Sequence, residues 1–282
     1  MCTAPSGWAE VAGRGTLYVV FGEVHGTRES PAFVGSLACG LAARGERILV
    51  GVELQATDNP ALQRAWRLPD DQFAPALRRI GWEGRTDGVG SEAMFRLLQR
   101  LHALRSSGRN IDVVAFNGFA DEAQSERLRD LAGQGPHEAA QAENIRKAAE
   151  GGRYNHVLVL VGNLHARKTP VDDRGTVFEP MAMHLGSAAQ VTTLNMRLSQ
   201  GSMWNCLVRP NAKLERGKPL PPGAVDCGNH QTHDAAVDLG PTPLMSLENF
   251  PGEPRDANYD GFYWLGRVNG SPPASSRDQL RQ

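Results

Sequence analysis

Short, nearly unbroken apolar runs recur along the chain, and longer amphipathic stretches fill the spaces between them. The first run, residues 17–21 (LYVVF), is rich in the β-branched and aromatic residues that suit a buried strand. Further runs of the same kind lie at 48–52 (ILVGV), 111–116 (IDVVAF), 157–161 (VLVLV) and 191–194 (VTTL). The intervening stretches read as helices. One covers about 31–44, with Ser30 as its cap and Pro31 at the first helical position, where its missing N–H costs nothing. Another begins at Asn59-Pro60, and a third runs from Asp70, as cap, to Ile80. After the Gly-rich loop WEGRTDGVGS, Ser91 caps a helix whose Met94, Leu97, Leu98, Leu101 and Leu104 share one face and so form core packing. Two polar-faced helices follow at 120–131 and 137–150.

Strands that alternate with helices of this length predict βαβ units. The expected fold class is therefore α/β, a mostly parallel sheet flanked by helices on both faces. Beyond 206 the pattern dissolves into a Pro/Gly-rich segment, and a short aromatic strand, GFYWLG at 261–266, returns as an antiparallel edge. The expected organisation is one α/β domain over 1–282, with a core at 17–195, a loop-rich segment at 196–260 and the terminal strand at 261–266.

Composition narrows the function classes. A formal net charge of −1 leaves no electrostatic footprint for nucleic acid or an anionic membrane. No apolar run approaches the roughly 20 residues that span a bilayer. The first fifteen residues lack the apolar region of a secretory signal, and a trimmed signal would look the same, so export stays open. Of the four cysteines, Cys2 reads as an exposed free thiol, or the remnant of a lipid-attachment site, and Cys39 as a small core residue. Cys206 and Cys227 bracket the stretch NAKLERGKPLPPGAVD; a disulfide closing it, together with a trimmed signal, would make the protein periplasmic or exported, and otherwise it is cytoplasmic. A competing reading groups Cys227 with His230 and His233 as metal ligands, at a spacing that matches no standard zinc motif.

The candidate chemistry sits at strand ends. Glu23 and His25 follow the first run, Glu53 the second, Asn117 ends the third, and His165 follows the fourth. In a parallel sheet these ends lie along one edge, so residues distant in sequence converge, at the rim where open α/β sheets bind ligands. An imidazole is the natural base for water near neutral pH, a carboxylate can fix its tautomer, and a second imidazole can polarise a carbonyl. There is no Gly-x-Ser-x-Gly elbow, phosphate loop or dinucleotide fingerprint. The same two His and two Glu would also suit a divalent ion, Zn or Mn, and the residues alone do not separate the two chemistries. His102, His137, His156 and His184 read as structural or exposed, Trp82, Trp204 and Trp264 as loop anchors, Arg153 and Arg167 as surface charges, and Asp260 as a residue able to reach the site rim.

Gly22-Glu23-Val24-His25-Gly26, then Glu53 after a strand, then Gly162-Asn163-Leu164-His165 after a late hydrophobic strand resembles the erythromycin esterase/ChaN-like superfamily and the wider TraB/Tiki group. The resemblance covers residues 17–195 and the tail around 259–273. It implies a site at the strand ends, and members that cleave a macrolide lactone, bind haem, or act as metal-dependent proteases. Carried over, His25 is the base that activates water, Glu23 and Glu53 are its orienting or metal-binding carboxylates, and His165 is the second catalytic or ligand histidine. Arg28, Arg85, Asp87, Ser91, Asn117 and Asn163 are the substrate-binding candidates. The chain lacks the large helical additions of macrolide esterases, and neither Tyr18 nor Tyr154 is placed to hold haem. The expectation is a hydrolase of an ester, lactone or amide bond in a small-molecule substrate; the alternative is a protein that binds haem, iron or a divalent metal without turnover.

Overall fold

Residues 2–212, 221, 223–235 and 237–274 are described in the structure, a computed structural model of the chain. In chain order, α1 (Trp8–Gly13) leads into β1 (Tyr18–Glu23), α2 (Glu29–Ala43) and β2 (Ile48–Gln55), followed by α3 (Asn59–Ala65), α4 (Asp70–Arg78) and α5 (Glu92–Ser106). Next come β3 (Ile111–Asn117), α6 (Glu122–Leu128), α7 (Gly135–Glu150) and β4 (His156–Gly162). A small hairpin of β5 (Val171–Asp173) and β6 (Thr176–Phe178) precedes α8 (Met181–Leu185) and β7 (Val191–Arg197). The chain then forms β8 (Gln200–Val208), β9 (Val225–His233), β10 (Leu244–Ser246) and β11 (Gly261–Trp264).

Seven strands make the central sheet in the order β10-β11-β7-β1-β4-β2-β3, parallel at every pairing except β10 with β11. Successive side chains of a strand point to opposite faces, so continuous apolar runs need cover on both sides. That is what they receive. Val19, Phe21, Val50, Val52, Leu158 and Leu160 pack with Val34 and Leu37 of α2 and Leu98 and Leu101 of α5. Tyr18, Val20, Leu49, Val114, Val157 and Val159 pack with Ala142 and Ile145 of α7 and Met181 of α8. The α/β class and the flanking of both faces stand as expected.

Several details depart from expectation, each for a local reason. The cap of α2 is Arg28, two residues before Ser30, because the Ser30 hydroxyl is committed to a buried 3.0 Å bond with the Tyr263 hydroxyl. Pro69 caps α4 in place of Asp70, whose carboxylate instead meets His102 Nδ1 (2.8 Å) and the Ser106 hydroxyl (2.7 Å). Ser91 caps α5 as read, accepting from the Met94 N–H. The aromatic strand β11 is not the antiparallel edge: it lies inside the sheet, parallel to β7, and the three-residue β10 forms the edge. Phe262, Tyr263 and Trp264 are all buried, which an inner strand satisfies and an edge would not.

The segment at 196–260 is less loop-rich than its composition suggests, because β8 and β9 pair over nine residues each, with Cys206 opposite Cys227. Cys206 and Cys227 are joined as a disulfide, so Cys227 is not a thiolate ligand beside His230 and His233. Residues 213–220 of the Pro/Gly/Lys stretch lie outside the described residues. Cys2 is not a free thiol, nor Cys39 a lone core residue: the two are bonded to each other, tying the N-terminal segment to α2. Among the described residues no helix is long and apolar enough to cross a membrane.

Candidate active site

The sheet order creates the crevice. From β1 the chain departs over one face, through α2, toward β2; from β4 it departs over the other, through α8, toward β7. Adjacent parallel strands whose connections leave in opposite directions open a cleft beyond their carboxyl ends. In register, Glu23 at the end of β1 lies beside Gly162 at the end of β4.

Into this cleft the structure brings Glu23, His25, Glu53 and His165. His25 is gripped on both nitrogens: Nδ1 lies 2.8 Å from Glu23 Oε1 and Nε2 lies 3.2 Å from Glu53 Oε2. Glu53 Oε2 also accepts the Gly162 N–H at 2.8 Å, and its Oε1 stands 3.9 Å from His165 Nε2. Gly162 permits this closeness, since a Cβ there would lie 3.1 Å from His25 Nε2 and 3.3 Å from the His165 ring.

A third carboxylate, absent from the sequence reading, completes the group. Glu138, in the first turn of α7 and wholly buried, holds His165 Nδ1 at 2.8 Å and accepts the Met181 N–H at 2.9 Å. The result is two His–carboxylate pairs, His25–Glu23 and His165–Glu138, on either side of Glu53. His165 Nε2 is the ring nitrogen of the four that makes no hydrogen bond within the cluster.

The electrostatics follow from that packing. Burial alone would lower the His25 pKa, but the carboxylates of Glu53 and Glu23 outweigh it and hold the value well above 6.5. For His165 burial again acts downward and is overcome by Glu138 and Glu53, leaving the pKa raised. Burial would raise Glu53, yet the two imidazoles and the Gly162 N–H bring it down to about 2.

The remaining candidates divide. Asn117, at the end of β3, accepts from Gln141 Nε2 (3.1 Å), which also lies 2.6 Å from His137 Nε2. The His137 ring sits 5.9 Å from that of His165, so His137 is part of the site wall; burial lowers its pKa, leaving a neutral ring. Asn163 is in the wall through its backbone, donating to Glu23 O and accepting from the Tyr259 hydroxyl at 2.8 Å. With Val24, Met196, Met203 and His233 it lines a cavity of about 310 Å³ beside the cluster. Arg85 and Asp87 pair with each other at 2.9 Å, and although burial would raise Asp87, Arg85, the Gly90 N–H and the nearby His25 charge hold its pKa down.

That loop is pinned to the β8–β9 hairpin by the Trp204 indole N–H, which donates to Thr86 O at 2.8 Å. The hairpin in turn sits on the histidine loop through the Trp204 N–H to Gly26 O bond. Gly26 holds φ +90°, and a Cβ there would fall 1.9 Å from Trp204 O. Gly26→Ala is therefore expected to destabilise the fold by about 2–4 kcal/mol, from left-handed strain plus the displaced hairpin, read as a lower urea midpoint; an unchanged midpoint would show that the hairpin does not need this contact.

Other residues are placed elsewhere. Arg28 points away, its Nε donating to Gly270 O at 3.1 Å on the far side of the loop. Asp260 is not at the rim but buried and paired with Arg14 and Lys168. Arg167 is no free surface charge, since it donates to Asn258 Oδ1 at 2.8 Å. Tyr154 bonds Asp112. Among the described residues no three His, Cys, Asp or Glu side chains are arranged to hold a metal ion, and the four that the sequence offers as ligands are engaged with one another or with Glu138.

No family model and no curated protein matches the chain. Solved structures do. A mutant of erythromycin esterase EreC in its open conformation superposes with a TM-score of 0.58 at 14% identity, over 90% of this chain and 90% of that one. A succinoglycan biosynthesis protein gives a TM-score of 0.56 at 11% identity, over 94% and 91%. A protein from Bacillus cereus gives 0.56 at 11% identity, over 97% and 95%. The chain shares the fold of these three structures.

Proposed function

We propose that this chain, built on the fold it shares with erythromycin esterase, hydrolyses an ester, lactone or amide bond in a small molecule, with water activated by a His–carboxylate pair. The observation that carries the reading is the His165–Glu138 pair: Nδ1 is clamped at 2.8 Å by a fully buried carboxylate while Nε2 is left to the cleft. This exchanges the roles that the sequence suggests for the two histidines, since both nitrogens of His25 already face carboxylates.

In the reaction so drawn, neutral His165 takes a proton from water through Nε2, and the hydroxide adds to the substrate carbonyl carbon. His25, kept as an imidazolium by Glu23 and Glu53, supplies positive charge where the carbonyl oxygen becomes an oxyanion. Collapse of the tetrahedral intermediate breaks the bond to the leaving group, which takes the proton from His165. Glu138 keeps the His165 ring in the tautomer that leaves Nε2 unprotonated.

The protonation order suits these roles. The two imidazoles repel each other, so they titrate as a coupled pair; His25, with a carboxylate facing each ring nitrogen, keeps its proton, and His165, clamped at Nδ1 alone, gives up its own first. The working form is the one-proton state. The rate is then expected to rise with pH on an acid limb above 6.5 and to fall again when His25 also deprotonates. A pH profile of kcat/KM on a panel of p-nitrophenyl esters and lactones tests this, and an acid limb at or below 6.5 would contradict the assignment. Activity unchanged in His25→Ala would remove the proposed electrostatic partner altogether.

A further inference from the structure

Arg28 stands three residues beyond His25 yet serves a different hollow. Beside the first turns of α2 and α5 lies a cavity of about 340 Å³, larger than the one next to the catalytic cluster. Its rim carries Arg28, Arg96 and Arg100, and its floor is apolar, with Pro31, Leu97 and Pro272. Arg96 is neutralised by Glu92 at 2.9 Å. Arg28 and Arg100 have no carboxylate within ion-pairing distance among the described residues: each makes one hydrogen bond, to Gly270 O and to the Ser36 hydroxyl. A guanidinium offers five N–H donors in a planar fork, so most of the donors on both remain open.

The geometry points to a second binding site in this cavity, for a small carboxylate with an apolar body, held by Arg28 and Arg100. The volume lies in the range of small-molecule pockets. Once Glu92 has offset Arg96, two positive charges remain, and a planar carboxylate matches a guanidinium fork through paired N–H···O bonds. The amino ends of α2 and α5 both border the hollow and add partial positive charge at the same place. The apolar floor explains why the ligand carries a body as well as a charge: inorganic phosphate would leave that surface wet. This site stands whether or not the cluster at His165 is hydrolytic.

The test is titration of the whole protein with benzoate, followed by calorimetry or ligand-observed NMR, with benzyl alcohol as the neutral counterpart and inorganic phosphate as the bodiless anion. Saturable benzoate binding is expected, with benzyl alcohol and phosphate each about tenfold weaker or more. Arg28→Gln with Arg100→Gln should weaken benzoate by at least about tenfold, whereas a control pair, Arg129→Gln with Arg153→Gln, and the variant His165→Asn should not. Crystals soaked in benzoate should show it between α2 and α5, a readout that does not depend on how the arginine variants fold. Equal binding of benzyl alcohol, tighter binding of phosphate, loss of benzoate in His165→Asn, or density only in the cleft at His165 would each overturn the proposal.

Discussion

His165→Asn is expected to lower kcat/KM for ester hydrolysis by about a thousandfold, within the usual range for removing a general base, with the fold retained. The choice of asparagine matters. Glu138 is wholly buried, and a replacement that left it unpartnered would destabilise the protein and confuse the reading. An asparagine amide nitrogen falls close to where Nδ1 now stands, 2.8 Å from Glu138, so that contact survives while Nε2 disappears. The loss should fall on kcat, since His165 is asked to act on water and not to bind the substrate. Circular dichroism and the melting temperature serve as the fold control. A loss of less than about tenfold in an intact protein would mean that His165 is not the base.

The strand ends that carry the candidate site were legible because each follows a β-rich run that stops abruptly: Phe21 then Gly22-Glu23, Val52 then Glu53, Val161 then Gly162. Parallel pairing does the rest, and the register sets Glu23 directly beside Gly162. Glu138 was not legible. It lies in a helix whose charged residues read as a solvated face, and only the seating of α7 under β4 and α8 turns it toward His165. The adjacent pair His137-Glu138, ahead of a run of alanines, is the one local signal that could have marked it.

Arg28 shows the opposite limit. Sequence places it in the same loop as His25, but the loop turns through Gly26, and Arg28 lines a cavity that His25 does not. The β8–β9 hairpin escaped because its strands carry no clean alternation; Trp204, Asn205, Asn229 and His230 give no apolar face, and their pairing is marked in the sequence only by the two cysteines. An aromatic strand near the end of a chain reads naturally as a late edge addition. The β11 side chains went inward instead because α2 offers Ser30 and Phe33 as partners for Tyr263.

Glu53→Gln is expected to cost both activity and stability, and the pH dependence of each follows from the signs of the shifts. Glu53 opposes the burial that pulls both histidines down, so its loss lets the His25 and His165 pKa values fall. The acid limb of the rate profile should therefore move to lower pH, while the plateau drops because His25 no longer holds its positive charge at neutral pH. For stability, a raised His25 contributes fully below 6.5 and loses that contribution as pH climbs through its folded-state value. Glu53, brought from 4.5 to about 2, contributes above 4.5 and loses its share as pH falls toward 2. The wild-type cluster is thus at full strength between about 4.5 and 6.5, bounded below by Glu53 and above by His25. In that window the variant should unfold about 3 kcal/mol more easily, the low end for breaking a buried pair, because the abandoned imidazole can shed its proton. The gap between variant and wild type should narrow on either side, and urea midpoints measured from pH 4 to pH 10 would show it. A difference that stayed constant with pH would mean that Glu53 acts through its shape and its bond to Gly162 rather than through its charge.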